Sequence, residues 1–214
     1  MKNGAIAMSL TLYGFDGSTY VRTVKMLLAE KDADFDQVQV NVIKGEPHLP
    51  EHLVRHPFGK VPVIDHDGFR VIETGAIIAY LDEVLPGPSI TPDNAHDRAR
   101  THMAQGIYDA YGYGNLVQVF GYHLFPDFIG GQNEEARRKG IEHSKRVLRE
   151  LMKIKGTDPY IAGLEPSIGD FYLAPGCAYI AMTPDAPQVF SVDGFDGWWK
   201  RMQSLPSYKA TQPK

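Results

Sequence analysis

The strongest constraint on this chain is a change of hydrophobic period across Pro86-Gly87-Pro88-Ser89-Ile90-Thr91-Pro92, a stretch that cannot continue a helix and reads as a linker over 87–92. Before it, short runs of period two alternate with runs of period 3.6; beyond it the strand signal largely disappears. Leu10 to Tyr13 reads as a strand, and Val21, Val24, Leu27 and Leu28 share one face of a following helix. Asp36 to Ile43 returns to period two, with Val38, Val40 and Val42 expected to face inward as a half-buried strand. Glu46 to His56, broken by Pro47 and Pro50, supports at most an irregular helix. Val61 to Asp65 and Phe69 to Ile72 flank Asp67-Gly68, a hairpin signal, and Thr74 to about Val84 reads as a helix. After the linker, Asn94 to about Leu124, Glu134 to Lys155, Ile168 to Met182 and Phe195 to Leu205 read as helices. The expected organisation is a mixed α/β domain over 8–86 and an all-helical domain over 93–214.

Charge and cysteine content exclude several functions. Residues 1–86 carry 8 basic and 12 acidic groups and residues 87–214 carry 14 of each, so neither part offers the cationic surface that nucleic acid or an anionic membrane would need. The single cysteine, Cys177, excludes a disulfide framework, a paired-cysteine redox site and a cysteine-built zinc site. It lies among Ala174, Ala178 and Ile180 and is expected to be an inert core residue. No apolar run approaches the roughly 20 residues needed to span a bilayer. The first residues lack the pattern of a signal sequence; Met8 is expected as an alternative start after a frayed tail, and the cytosol as the location.

Several local patterns carry chemistry or mimic it. Ser18-Thr19 before an apolar helix has the composition of an N-cap, and unpaired N–H groups at a helix start also favour an anion. Glu73-Thr74 opens another helix, and Lys60-Val61-Pro62 precedes a strand. Ser167 and Asp170 form a capping box ahead of an apolar helix, a folding device rather than a binding site. His48, His52 and His56 have the spacing of one helix face, yet Pro50 and Pro57 interrupt that helix and no carboxylate or cysteine completes a set, so no metal is expected. Arg137, Arg138 and Lys139 behind Glu134 and Glu135 read as a solvated helix face.

Four fragments, in order, resemble the cytosolic glutathione transferase family over nearly the whole chain: Tyr13-Gly14 with Ser18 and Arg22, His56-Pro57-Phe58-Gly59-Lys60-Val61-Pro62, Glu73-Thr74, and Pro166-Ser167-Ile168-Gly169-Asp170. The resemblance implies a thioredoxin-like domain followed by a helical domain, and a two-fold homodimer pairing the first domain of one subunit with the second of the other. It implies glutathione as co-substrate and a role in detoxification. Ser18 matches the activating serine of the serine classes, with Thr19 and Tyr20 as rivals for the thiol. Val61-Pro62 matches the family's cis peptide bond, which turns residue 61 outward to pair with the cysteinyl unit as a strand would. Glu73 and Thr74 would receive the γ-glutamyl ammonium and carboxylate, while Lys60 and His48 would reach the glycyl carboxylate. A threonine stands where the family usually has serine, and the basic pair around His48 is not cleanly matched. Tyr20, Tyr108, Tyr111 and Tyr113 would line the electrophile pocket, although plain core packing is an equal alternative for each tyrosine of the second domain. The isomerase and thiol-reductase branches fit poorly, since Ser18-Thr19-Tyr20-Val21 lacks their cysteine. A glutathione-binding carrier or interaction protein of the same fold is the alternative to an enzyme.

Overall fold

The computed structural model describes residues 9–213. Met8 and the tail before it therefore lie outside the described residues. The chain divides into two compact units, the first running to Gly87 and rejoined from Thr211, the second spanning Pro88–Ala210. The return of the terminus differs from a helical domain reaching residue 214; Arg22 Nε donates to Thr211 Oγ1 at 3.5 Å.

The first unit is thioredoxin-like. β1 (Leu10–Tyr13), α1 (Thr19–Glu30), β2 (Asp36–Val38), α2 (Pro50–Leu53), β3 (Val63–His66), β4 (Phe69–Ile72) and α3 (Thr74–Val84) build a sheet of order β2-β1-β3-β4. β1 and β2 are parallel, and the other neighbours are antiparallel. Asp67 and Gly68 both take positive φ (50° and 83°), the conformation of the two-residue turn that matches strand twist. Leu12, Val21, Val24, Leu27, Leu28, Ile64, Ile77, Ile78 and Leu81 are buried in the core. Gly14 lets α1 close on β1, because a Cβ there would lie 2.4 Å from Val21 Cγ2.

The second strand corrects the alternation read from sequence. β2 stops at Val38, which is exposed, while Gln37 pairs with Leu12 and its amide donates to Gly14 O at 3.2 Å and to Asp16 Oδ1 at 3.1 Å. A polar side chain satisfied by backbone thus takes the inward position, and Val40 is buried only after the strand has ended. β3 likewise begins two residues later than expected, because Val61-Pro62 forms a cis peptide ahead of it.

The second unit is helical: α4 (Ala95–Ile107), α5 (Tyr113–Leu124), α6 (Glu134–Lys155), α7 (Ile168–Ala181), α8 (Ala186–Val189), α9 (Phe195–Ser204) and α10 (Pro206–Ala210). The single helix expected over Asn94–Leu124 is split by a π-helical turn at Tyr108–Gly112. α5 and α6 approach closely at Gly140, where a Cβ would stand 2.9 Å from Asn115 O. Arg137 is not solvated as expected: it bonds Asp185 and Glu134 and lies 5.2 Å from the Tyr122 ring centroid. Among the described residues no helix is long and apolar enough to cross a membrane.

Candidate functional site

The sheet register gathers the singled-out residues of the first unit. Tyr13 pairs with Val63, and Val63 pairs with Ile72, so three chain positions lie in one row at one end of the sheet. Tyr13 leads into the loop before Ser18, Val63 follows Val61-Pro62, and Ile72 precedes Glu73-Thr74. The starts of α1 and α3 and the cis peptide therefore share a sheet end, although Tyr13 and Val63 stand 50 positions apart in sequence and Val63 and Ile72 nine.

Ser18 is the N-cap of α1, with extended backbone (φ −82°, ψ 125°), and its Oγ accepts the Val21 N–H at 3.3 Å. Accepting uses a lone pair, so the hydroxyl hydrogen remains available to donate; the capping and anion-binding readings are compatible. Thr19 is buried, its Oγ1 without a hydrogen-bond partner among the described residues, whereas Tyr20 is half-buried.

Val61-Pro62 is cis. Lys60 and His48 are exposed beside it, and His48 packs over Gly59, whose φ of 60° and missing Cβ accommodate the imidazole; a Cβ would meet His48 Nδ1 at 2.5 Å. Glu73 occupies the N-cap of α3 with φ 68° and ψ 120°, a region that side-chain-bearing residues seldom adopt. No side chain caps α3, so its leading N–H groups stay open to an anion. Thr74 is buried at that terminus, while the Glu73 carboxylate is largely exposed.

Sequence reasoning gave His52 and His56 no site role: both stood in a rejected metal pattern, and His56 also opened the second family fragment. Both are buried: His52 Nε2 donates to Lys60 O at 2.7 Å, and His56 Nδ1 accepts the Phe58 N–H at 3.3 Å. Burial holds the His56 imidazole below its ordinary pKa, and His52 and Lys60 act in the same direction against the pull of Glu73. Among the described residues no group of three His, Cys, Asp or Glu is arranged to hold a metal ion.

Residues 8–83 match the family model described as the glutathione S-transferase N-terminal domain. The chain is 30% identical to glutathione S-transferase hmp2 of Hypomyces subiculosus over 210 residues, covering 95% of this chain and 98% of that protein. The chain belongs to the glutathione S-transferase family. Glutathione S-transferase F13 of Arabidopsis thaliana is 25% identical, with 96% of each chain covered. The crystal structure of glutathione transferase F7 from Populus trichocarpa superposes with a TM-score of 0.84 at 25% identity, covering 94% of this chain and 97% of that one. This protein is thus a transferase with glutathione as its co-substrate.

In the second unit of this transferase the candidate tyrosines separate. Tyr108 is buried against Tyr172 and Tyr113, with ring centroids 6.0 and 6.2 Å away. Tyr111 is 66% exposed and Tyr113 half-buried. The wide turn at Tyr108–Gly112 rotates neighbouring side chains away from ordinary helical spacing. Cys177 is fully buried in α7, and burial pushes its thiol well above the ordinary range, as an inert core residue requires.

Proposed function

We propose that this transferase conjugates the glutathione thiolate to a small hydrophobic electrophile, with Ser18 as the group that stabilises the thiolate. The supporting observation is a hydroxyl at the start of α1 that accepts the Val21 N–H and keeps its own hydrogen to donate. A free thiol has a pKa near 8.5, and lowering it by ~2 units requires about 2.7 kcal/mol of preference for the thiolate. One hydrogen bond to an anion supplies about 1.5–3 kcal/mol, and the helix terminus adds to it. The sulfur lone pair then forms the bond to the electrophilic carbon, and the leaving group departs with the displaced electron pair or, in an addition to a double bond, the adjacent carbon receives that pair and takes a proton.

Glutathione itself is bound by the end of the sheet described above. Val61 pairs with the cysteinyl backbone, Glu73 with the γ-glutamyl ammonium, and Thr74 with its carboxylate, helped by the open N–H groups of α3. Lys60 and His48, both exposed beside the cis peptide, serve the glycyl carboxylate. Within the helical unit, Tyr111 and Tyr113 are the candidate tyrosines accessible to an electrophile, whereas Tyr108 acts through the packing of that unit. The working form is a homodimer in the cytosol with a detoxifying role.

Ser18→Ala tests this reading. Turnover with an aromatic halide is expected to fall by about one to three orders of magnitude while glutathione affinity stays near that of the parent. The ultraviolet thiolate absorbance of bound glutathione, followed against pH, should show its midpoint moving up in the variant. An unmoved midpoint would transfer the role to Thr19, Tyr20 or the backbone, and binding without turnover across an electrophile panel would favour a carrier.

A further inference from the structure

We propose that His56 is a positioning residue for the Glu73 carboxylate, and that its protonation sets the acid limit of glutathione recognition. The inference rests on the reading of Glu73 as the receptor for the γ-glutamyl ammonium.

Glu73 alone is a poorly determined receptor. Its backbone lies at φ 68°, its side chain is 69% exposed, and its helix has no side-chain cap. A glutamate so placed has several rotamers open to it. The buried imidazole of His56 supplies a fixed point, with Nε2 standing 3.7 Å from Glu73 Oε1. Because Nδ1 accepts the Phe58 N–H, the neutral ring must carry its hydrogen on Nε2, the nitrogen facing Glu73. The ring itself cannot swing, being 1% exposed and held at the turn after α2.

The charge state decides what this contact does. Neutral His56 orients the carboxylate and leaves its full negative charge for the ammonium of glutathione. Imidazolium at the same place pairs with that charge and competes with the ammonium. The groups facing His56 are Glu73 at the start of α3, His52 on α2 and Lys60 before β3. Burial, His52 and Lys60 favour the neutral ring, against Glu73, so the ring is uncharged at neutral pH and charges only on acidification. His52 Nε2 in turn donates to the Lys60 carbonyl, so the second buried histidine holds the chain just before the cis peptide.

Calorimetric titrations of the full chain with glutathione and with glutaryl-cysteinylglycine, which lacks the α-ammonium, provide the test. The parent should prefer glutathione at pH 7.5 and lose much of that preference on acidification below the ordinary imidazole range, as the ring protonates. His56→Ala should reduce the preference about five- to ten-fold at pH 7.5, since the carboxylate loses its hold. His56→Gln keeps an N–H donor that does not titrate, and should retain the preference with a flattened pH profile. Full preference in His56→Ala, or the parent's pH profile in His56→Gln, overturns the proposal; the glutamine variant decides alone if the alanine variant does not fold. Glu73→Gln separates the two levels: if it keeps the parent's preference, Glu73 is not the ammonium receptor and the underlying reading fails. If it loses the preference while His56→Ala keeps it, only the role of His56 falls.

Discussion

Thr74 and Ser18 both stand at helix starts, and in the proposed function each would serve a ligand as well as the terminus. Thr74 is buried at the uncapped start of α3, where a hydroxyl and the leading N–H groups make a donor set for a carboxylate. Thr74→Val preserves the branched shape and removes only the hydroxyl. Glutathione binding is expected to weaken by about 1–2 kcal/mol, roughly five- to thirty-fold, in a calorimetric titration. Unaltered affinity would leave the helix terminus as the sole receptor for the carboxylate. Both residues were legible as helix starts from local composition, but the buried state of Thr74 and the exposed state of the adjacent Glu73 were not. A residue's burial depends on what the distant chain packs against it.

At the scale of elements, α7 is the clearest case of a local signal that acquires a tertiary role. Its capping box is visible as Ser167 and Asp170, yet Asp170 does more than cap: the fully buried carboxylate accepts from Ser167 N at 2.9 Å, Ser167 Oγ at 2.8 Å, Ile161 N at 3.0 Å and Trp198 Nε1 at 2.7 Å. Burial pushes its pKa up while these donors pull it down. Asp170→Ala leaves all of these donors without their acceptor in a buried site. It is expected to destabilise the protein by ~3–4 kcal/mol in denaturant unfolding followed by tryptophan fluorescence. Both tryptophans, Trp198 and Trp199, lie in α9, so that signal reports the helical unit directly. A loss under 1 kcal/mol, roughly one ordinary hydrogen bond, would mean that water replaces the carboxylate. The π-helical turn at Tyr108–Gly112 is the opposite case, since no side-chain cap marks it and nothing in the local sequence announces it.

For the whole molecule the expected state is a two-fold homodimer. The segment after β2 leaves Val54 81% and Phe58 69% exposed, with Leu49 and Leu53 exposed as well. Apolar side chains of this size concentrated on one short segment are characteristic of an association surface. Sedimentation at micromolar concentration should give a species of twice 23.8 kDa. A monomeric mass under those conditions would refute the dimer, and Phe58→Ser should shift the parent towards monomer if this segment contributes to it.

The sequence by itself determined the kinds of element and the order in which they come. Asp67-Gly68 specifies a tight hairpin, Thr74–Val84 forms the helix that its spacing predicts, and Pro86-Gly87-Pro88 ends it, because these are choices of φ, ψ and side-chain period within a few residues. Only the tertiary structure decided which of these pieces meet. The row Tyr13, Val63 and Ile72 gathers Ser18, Val61 and Glu73 at one end of the sheet, and the same folding buries His52 and His56 while leaving Val38 exposed. It also separates Tyr108 from Tyr111, three positions apart in sequence, into the core and the surface. The physical reason is that burial, partner and bearing belong to pairs of residues far apart in the chain, whereas a local sequence specifies only the backbone conformations it favours.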